Sequence, residues 1–202
     1  ETYTYILLMS KLLILSSGAK CTGKTTLLKR LRKCNWDVNF VHEVTRLIKR
    51  DYGVDINEAG NEMTQALIIT EHFKNINRHN RQKRSTILDR CILDGIIYTS
   101  WLEENRALNP WTGNYAYHLF DNYIESYDVI FYTDPVDVNI EDDGERSVDV
   151  GFRNDIIESF NHWITNNPRV RDKVVVLSGT VEERLENIKK TLSEKGLDIN
   201  IK

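Results

Sequence analysis

The stretch SSGAKCTGKTT, Ser16 to Thr26, places Gly18 and Gly23 five positions apart, with Lys24-Thr25 directly after the second glycine. Glycines at those two points let the backbone curl so that successive N–H groups converge, and a following helix adds its positive end. Such a cup suits phosphate oxygens. The Lys24 ammonium could reach the β- and γ-phosphates of a nucleoside triphosphate, and the Thr25 hydroxyl could enter a Mg²⁺ shell. Gly18, Ala19, Lys20, Cys21, Thr22, Gly23, Lys24, Thr25 and Thr26 are therefore the candidate ATP-binding loop.

Three further clusters could act on what the loop holds. Glu43 closes the run Asn39–His42, and Arg46 follows three residues later. Beyond a strand's carboxyl end, Glu43 could bind and deprotonate an acceptor hydroxyl, with Arg46 on the same acceptor. The alternative is a dipole-favoured glutamate at a helix start that simply pairs with Arg46. Thr86–Asp89 ends in Asp89-Arg90. Asp89 could hold Mg²⁺ and Arg90 could grip a phosphate, or the two could form a strand-end ion pair. Asp94 is a helix cap or an acceptor ligand. Tyr98 and Trp101 could stack on a base or pack in the core.

Arginines after the fourth apolar run, Arg146 and Arg153, suit a lid over segment 135–153 that closes on transition-state charge; a solvated loop is the bland alternative. Arg78–Arg84 is a basic run, though cations are ordinary at a helix C-terminus. No histidine shows metal-ligand spacing.

These residues need a frame. The runs Lys11–Ser16, Asn39–His42, Thr86–Asp89, Asp128–Thr133 and Lys173–Leu177 read as short strands alternating with helices, which implies a parallel sheet covered on both faces. Met63, Ala66, Leu67, Thr70, Phe73 and Ile76 mark one helical face; Phe152, Ile156, Phe160 and Trp163 mark another. Asn105–Asn114 reads as a turn-rich connection. The 202 residues give one domain, residues 11–192, between an N-terminal extension (1–10, with Met9 a candidate native start) and a tail (193–202). A net charge of −3 argues against general nucleic-acid binding. Three cysteines without a CxxC pair fit free thiols in the cytoplasm. No run is long enough to span a bilayer.

Together, SSGAKCTGKTT, VHEVTRLI, ILDRCILD, YDVIFYTDP with DDGERSVDVGFRNDI, and LSGTVEERLENI resemble P-loop kinase-like NTPases of the nicotinamide riboside kinase type, grouped with an "AAA domain" family. The Asp-Arg step and IIYTSW also look like thymidylate and deoxynucleoside kinases. The resemblance implies an α/β three-layer P-loop fold with a five-stranded parallel sheet in the order 2-3-1-4-5. It also implies ATP and Mg²⁺, Gly179 and Arg184 at the adenine side, and a nucleoside or nucleotide-like acceptor. The expected activity is γ-phosphate transfer by a monomer or homodimer. Two alternatives stand beside it: a kinase acting on a DNA or RNA hydroxyl, and a partner-dependent ATPase switch.

Overall fold

The computed structural model describes residues 12–19, 22–34, 36–82, 84–106, 108–135 and 150–197. Its strands are short and apolar because helices cover both faces of the sheet. β1 (Leu12–Ser17), β2 (Asn39–Val41), β3 (Thr86–Asp89), β4 (Val129–Thr133) and β5 (Val174–Leu177) pair in parallel, in the order β2-β3-β1-β4-β5. Successive strand side chains point to opposite faces. Ile87, Val129 and Phe131 accordingly join the core under α1 (Lys24–Arg32) and α8 (Val181–Glu194). Leu88, Ile130 and Tyr132 join the core under α3 (Glu62–Asn80), α4 (Ile92–Arg106), α5 (Pro110–Tyr123) and α6 (Val150–Asn166). This is a three-layer α/β architecture.

β1 lies at the centre, with Leu13 opposite both Ile87 and Val129. Its register against β4 slips between Leu15 and Ser17, a bulge that bends the strand end into the glycine loop. α2 (Val44–Tyr52) follows β2 and buries Val44 and Ile48 against Ile68 of α3. A short helix, α7 (Pro168–Arg171), leads into β5. Caps fix several of these entries: Asn61 accepts from Thr64 N, Asn109 from Trp111 N, and Thr180 with Glu183 forms a capping box.

Three expectations are corrected. Asn105–Asn114 is not mainly a turn, since α5 begins inside it, with Pro110 at the first helical position after the Asn109 cap. On α3, Met63 is 57% exposed, and the deepest side chains include Thr64, Gln65, His72, Asn75 and His79. The reason is that α3 is wedged between α2, α4 and α5, so burial extends beyond the apolar stripe: Phe73 meets Tyr123 at 4.9 Å and Thr70 Oγ1 lies 3.0 Å from Tyr115 Oη. The folded unit also passes residue 192, because α8 runs to Glu194 and Leu197 is buried.

Candidate active site

β1 delivers the chain to Gly18, whose φ of 131° lies outside the range that side-chain-bearing residues adopt comfortably. A Cβ there would stand 3.1 Å from the Tyr132 ring, so the loop crosses β4 closely. Gly23, at φ 82°, opens α1. Lys20 and Cys21 between them lie outside the described residues. Lys24 is folded back into its own loop, with Nζ donating to Gly18 O at 3.1 Å, to Thr22 Oγ1 at 3.3 Å, and to Ala19 O. Burial, with Arg90 adding to it, brings its ammonium down to about 7 against the pull of Asp94, Asp89 and Glu43. The cation is expensive where it sits, and carbonyl oxygens hold it. Thr25 is half-buried beside it, while Thr26 is exposed and lines neither cavity described below.

Arg184 braces the loop from α8. It is buried, donating from its guanidinium to Thr22 O at 2.8 Å and to Asp134 O at 3.3 Å. Gly179, at φ 84°, makes the turn into that helix; a Cβ there would press on Glu183 of the capping box. Arg184→Met would leave both carbonyls without their donor. We expect a loss of roughly 2–4 kcal/mol in urea unfolding, from one buried acceptor at about 1–3 kcal/mol and a part-buried one at about 1 kcal/mol. An unchanged midpoint would show that the brace contributes nothing.

The end of β3 carries the second half of the site. Arg90 adopts φ 72°, an unusual conformation for a non-glycine residue and one that costs energy. Its guanidinium donates to Glu43 Oε1 (3.0 Å), Asp94 Oδ1 (3.3 Å) and Gly18 O (3.4 Å), and lies 5.2 Å from the Tyr98 ring centre. Glu43 caps the start of α2 by position, and its other oxygen meets Arg46 Nε at 2.9 Å. Burial pushes the Glu43 carboxyl up, but Arg90, Lys24 and Arg46 outweigh it and hold it below its usual range. Asp89 moves the other way, to about 6, through burial and the neighbouring Glu43 charge. Two carboxylates at one cleft are thus driven apart.

Asp94 sits in the first turn of α4 and caps its start through Cys91 N. It is the third residue of α4, and its oxygens accept from Gly18 N (3.3 Å), Cys91 N (3.1 Å) and Arg90. The carboxylate ties the glycine loop to the β3–α4 junction. Trp101 is accounted for by packing, edge-on to Phe152 at 4.5 Å with Nε1 donating to Asp155. Arg153 is on α6 rather than a loop and donates to Pro135 O at 3.2 Å. Arg146 falls outside the described residues, as does most of the expected lid. Two arginines of the basic run are paired in the ordinary way, Arg78 with Glu71 and Arg84 with Asp37.

Two cavities border this cluster. A cleft of about 700 Å³ is lined by Lys24, Thr25, Glu43, Arg46, Asp89 and Arg90, among others. A small one of about 20 Å³, room for about one water, is lined by Gln65, His72, Arg90, Asp94 and Tyr98. His72 Nε2 is buried without a hydrogen-bond partner among the described residues. Sequence reasoning missed Gln65 and His72; their separation by two helical turns on one α3 face was the available signal.

His72 gives a pH prediction. Burial, aided by Arg90 and opposed by Asp94, lowers it from 6.5 to about 4. The unfolded chain therefore binds the extra proton, and stability falls as pH drops from 6.5 towards 4. Asp89 has the opposite slope over part of that window, so the comparison is with His72→Gln. At pH 4.5 the parent should have lost roughly 2–3 kcal/mol relative to that variant, measured against their difference at pH 7.5. Parallel pH curves would refute the burial argument.

The profile of a family described as "AAA domain" matches residues 13–184. The chain belongs to that family. This AAA domain protein has no match among curated protein sequences. Solved structures resemble it more clearly. A NadR protein in complex with NR superimposes with a TM-score of 0.70 at 22% identity, covering 95% of this chain and 53% of that one. A NadR protein with NAD and AMP-PNP gives 0.68 at 19%, covering 95% and 51%. The deoxyadenosine kinase from M. mycoides with products dCMP and dCDP gives 0.64 at 16%, covering 91% and 99%. The chain spans about half the length of the NadR chains and nearly all of the deoxyadenosine kinase. The AAA domain here has a P-loop nucleoside-kinase-like fold.

Proposed function

We propose that this protein is an ATP- and Mg²⁺-dependent kinase that transfers the γ-phosphate to a nucleoside or nucleotide-like acceptor. The observation that carries the reading is the convergence of Lys24, Glu43, Asp89 and Arg90, from the ends of β1, β2 and β3, on one cleft. In open α/β sheets ligands sit beyond the carboxyl ends of the strands. The fold shared with the M. mycoides deoxyadenosine kinase supports the same choice.

The loop from Gly18 to Thr26 would cradle the triphosphate, with Gly179 and Arg184 behind its adenine side. The Lys24 ammonium would exchange its carbonyl partners for β- and γ-phosphate oxygens, which favour its charged form. Thr25 and Asp89 fit Mg²⁺: a hydroxyl and a carboxylate are hard oxygen donors, and both line the cleft beside Lys24. Mg²⁺, when bound with ATP, would neutralise charge accumulating between the β- and γ-phosphates.

Glu43 would accept a hydrogen bond from the acceptor hydroxyl once the part-exposed Arg46 swings from its other oxygen. The acceptor oxygen bonds to the γ-phosphorus, the bond from phosphorus to the β–γ bridging oxygen breaks, and ADP leaves. The hydroxyl proton passes to Glu43 and on to water. Arg90 keeps Glu43 aimed, Arg46 turns to the acceptor, and Arg146 and Arg153 would offset charge from the lid side. Such transfers need mainly positioning and electrostatics.

The test is a labelled-ATP screen over nucleosides, nucleoside monophosphates, nicotinamide riboside and oligonucleotides, with Lys24→Met as its control. Transfer to a small acceptor supports the reading. ATP hydrolysis without transfer, stimulated by a partner, would replace it with an ATPase switch.

A further inference from the structure

Seven of the residues lining the large cleft are lysine or arginine and only two are acidic, in a chain whose net charge is −3. Lys24, Arg46 and Arg90 have roles at the reacting end. Lys29 and Arg32 on α1, and Lys49 and Arg50 on α2, do not. Lys29 and Arg32 are three apart, and Lys49 and Arg50 stand three and four beyond Arg46, so each pair extends one helix face away from the glycine loop. Neither Arg184, Gly179 nor Arg153 lines the cleft, so it leaves the loop on the α2 side, away from β4 and β5. Cations in the last turn of a helix are ordinary. That accounts for their place along each helix but not for their shared aim: Arg30, in the same turn, pairs with Glu182 on α8 at 2.5 Å instead. Lys29 and Lys49 make no ion pair among the described residues, and Arg50 meets only its exposed neighbour Asp51.

We infer that the cleft takes an acceptor bearing a phosphate of its own, gripped by Lys29, Arg32, Lys49 and Arg50 while its reacting group lies at Glu43. This rests on the kinase reading above and narrows it from nucleosides to nucleotides. About 700 Å³ is within the range of pockets that enclose a ligand of mononucleotide size. The same phosphate chemistry comes from a free nucleotide or from the terminal unit of a single strand.

The test compares nucleosides with their 3′- and 5′-monophosphates and with short single-stranded oligonucleotides bearing a 5′-hydroxyl, all with Mg·ATP. We expect kcat/KM at least about 10-fold higher for a phosphate-bearing acceptor than for its parent nucleoside, the scale of one charge-assisted contact. Joint replacement Lys29→Ala and Lys49→Ala should raise its KM about 10-fold, hold kcat within about two-fold, and flatten the salt dependence by about one unit of slope or more. The charge-matched pair Lys190→Ala and Lys195→Ala, at the end of α8 and outside the cleft lining, should change none of these. A preference for mononucleotides or for oligonucleotides identifies the source. Equal or better use of plain nucleosides, or equal effects of the two double variants, overturns the inference and leaves the kinase reading intact. Conversely, mononucleotide binding in titrations with a non-hydrolysable ATP analogue present, weakened by the Lys29 and Lys49 changes, together with no transfer to any acceptor from Mg·ATP, overturns the kinase reading and keeps the phosphate grip.

Discussion

Lys24→Met is expected to lower kcat/KM for phosphoryl transfer by about 10³-fold or more while the protein stays folded. A single preorganised donor aimed at developing charge is worth about 10²–10³ in rate, and Lys24 brings a full charge to the leaving β–γ bridge. The same residue is a burden to the empty loop. Its ammonium is buried and brought down to about 7, so the folded chain resists protonating it across the interval up to its ordinary 10.5. A methionine of similar length carries no such cost. The melting temperature of Lys24→Met should therefore hold or rise, which separates lost chemistry from lost structure. Activity within ten-fold of the parent would remove Lys24 from the mechanism; a falling melting temperature would show that its three oxygen contacts outweigh its desolvation.

Glu43→Gln should cost about 10²–10⁴-fold in kcat for a hydroxyl acceptor, the usual range for a positioned acid–base group. For an acceptor that reacts through its own phosphate, the same change should cost no more than about ten-fold, since no hydroxyl proton then needs an acceptor. The carboxyl is held below its ordinary range by Arg90, Lys24 and Arg46 acting against burial, so it stays ionised and able to accept the hydroxyl proton across the neutral range. The rate profile of the parent should accordingly show no inflection from Glu43 between pH 5 and 8. The substitution also removes one of two carboxylate partners from the buried Arg90. A loss of up to about 3–5 kcal/mol in stability would accompany it if Asp94 cannot compensate alone. Equal losses for both acceptor types would leave Glu43 a structural partner of Arg90 and nothing more.

Features whose causes are local were readable in the sequence. The third strand, expected at Thr86–Asp89, is Thr86–Asp89, and the second ends one residue before its expected limit, because β-branched and apolar runs flanked by polar residues carry that information themselves. Features that depend on distant partners were not. Gly113 punctuates a segment that reads as a turn, yet it sits inside α5. A Cβ at that position would run into the Glu103 carboxylate, which accepts the Gly113 N–H at 3.0 Å. The partner lies ten residues back on another helix, so nothing local announces that contact. The polar face of α3 was hidden for a similar reason: apolar periodicity marks where hydrocarbon goes, and His72 and Gln65 are buried for what they face. The pairing of Glu43 with Arg90 joins residues 47 positions apart, so each looked equally like half of a local ion pair.

The family match stops at Arg184, yet the position of that side chain depends on residues beyond it. Ile188, Leu192 and Leu197 anchor the rest of α8 beneath the sheet, and Arg184 reaches the carbonyl of Thr22 only while that helix is seated. We expect the last turns of α8 and the first loop to open as one cooperative unit. Slow amide exchange at Leu27, whose N–H donates to Gly23 O, should follow that of α8 step for step, and a chain cut at the match boundary should retain its glycine motif yet lose its grip on nucleotide.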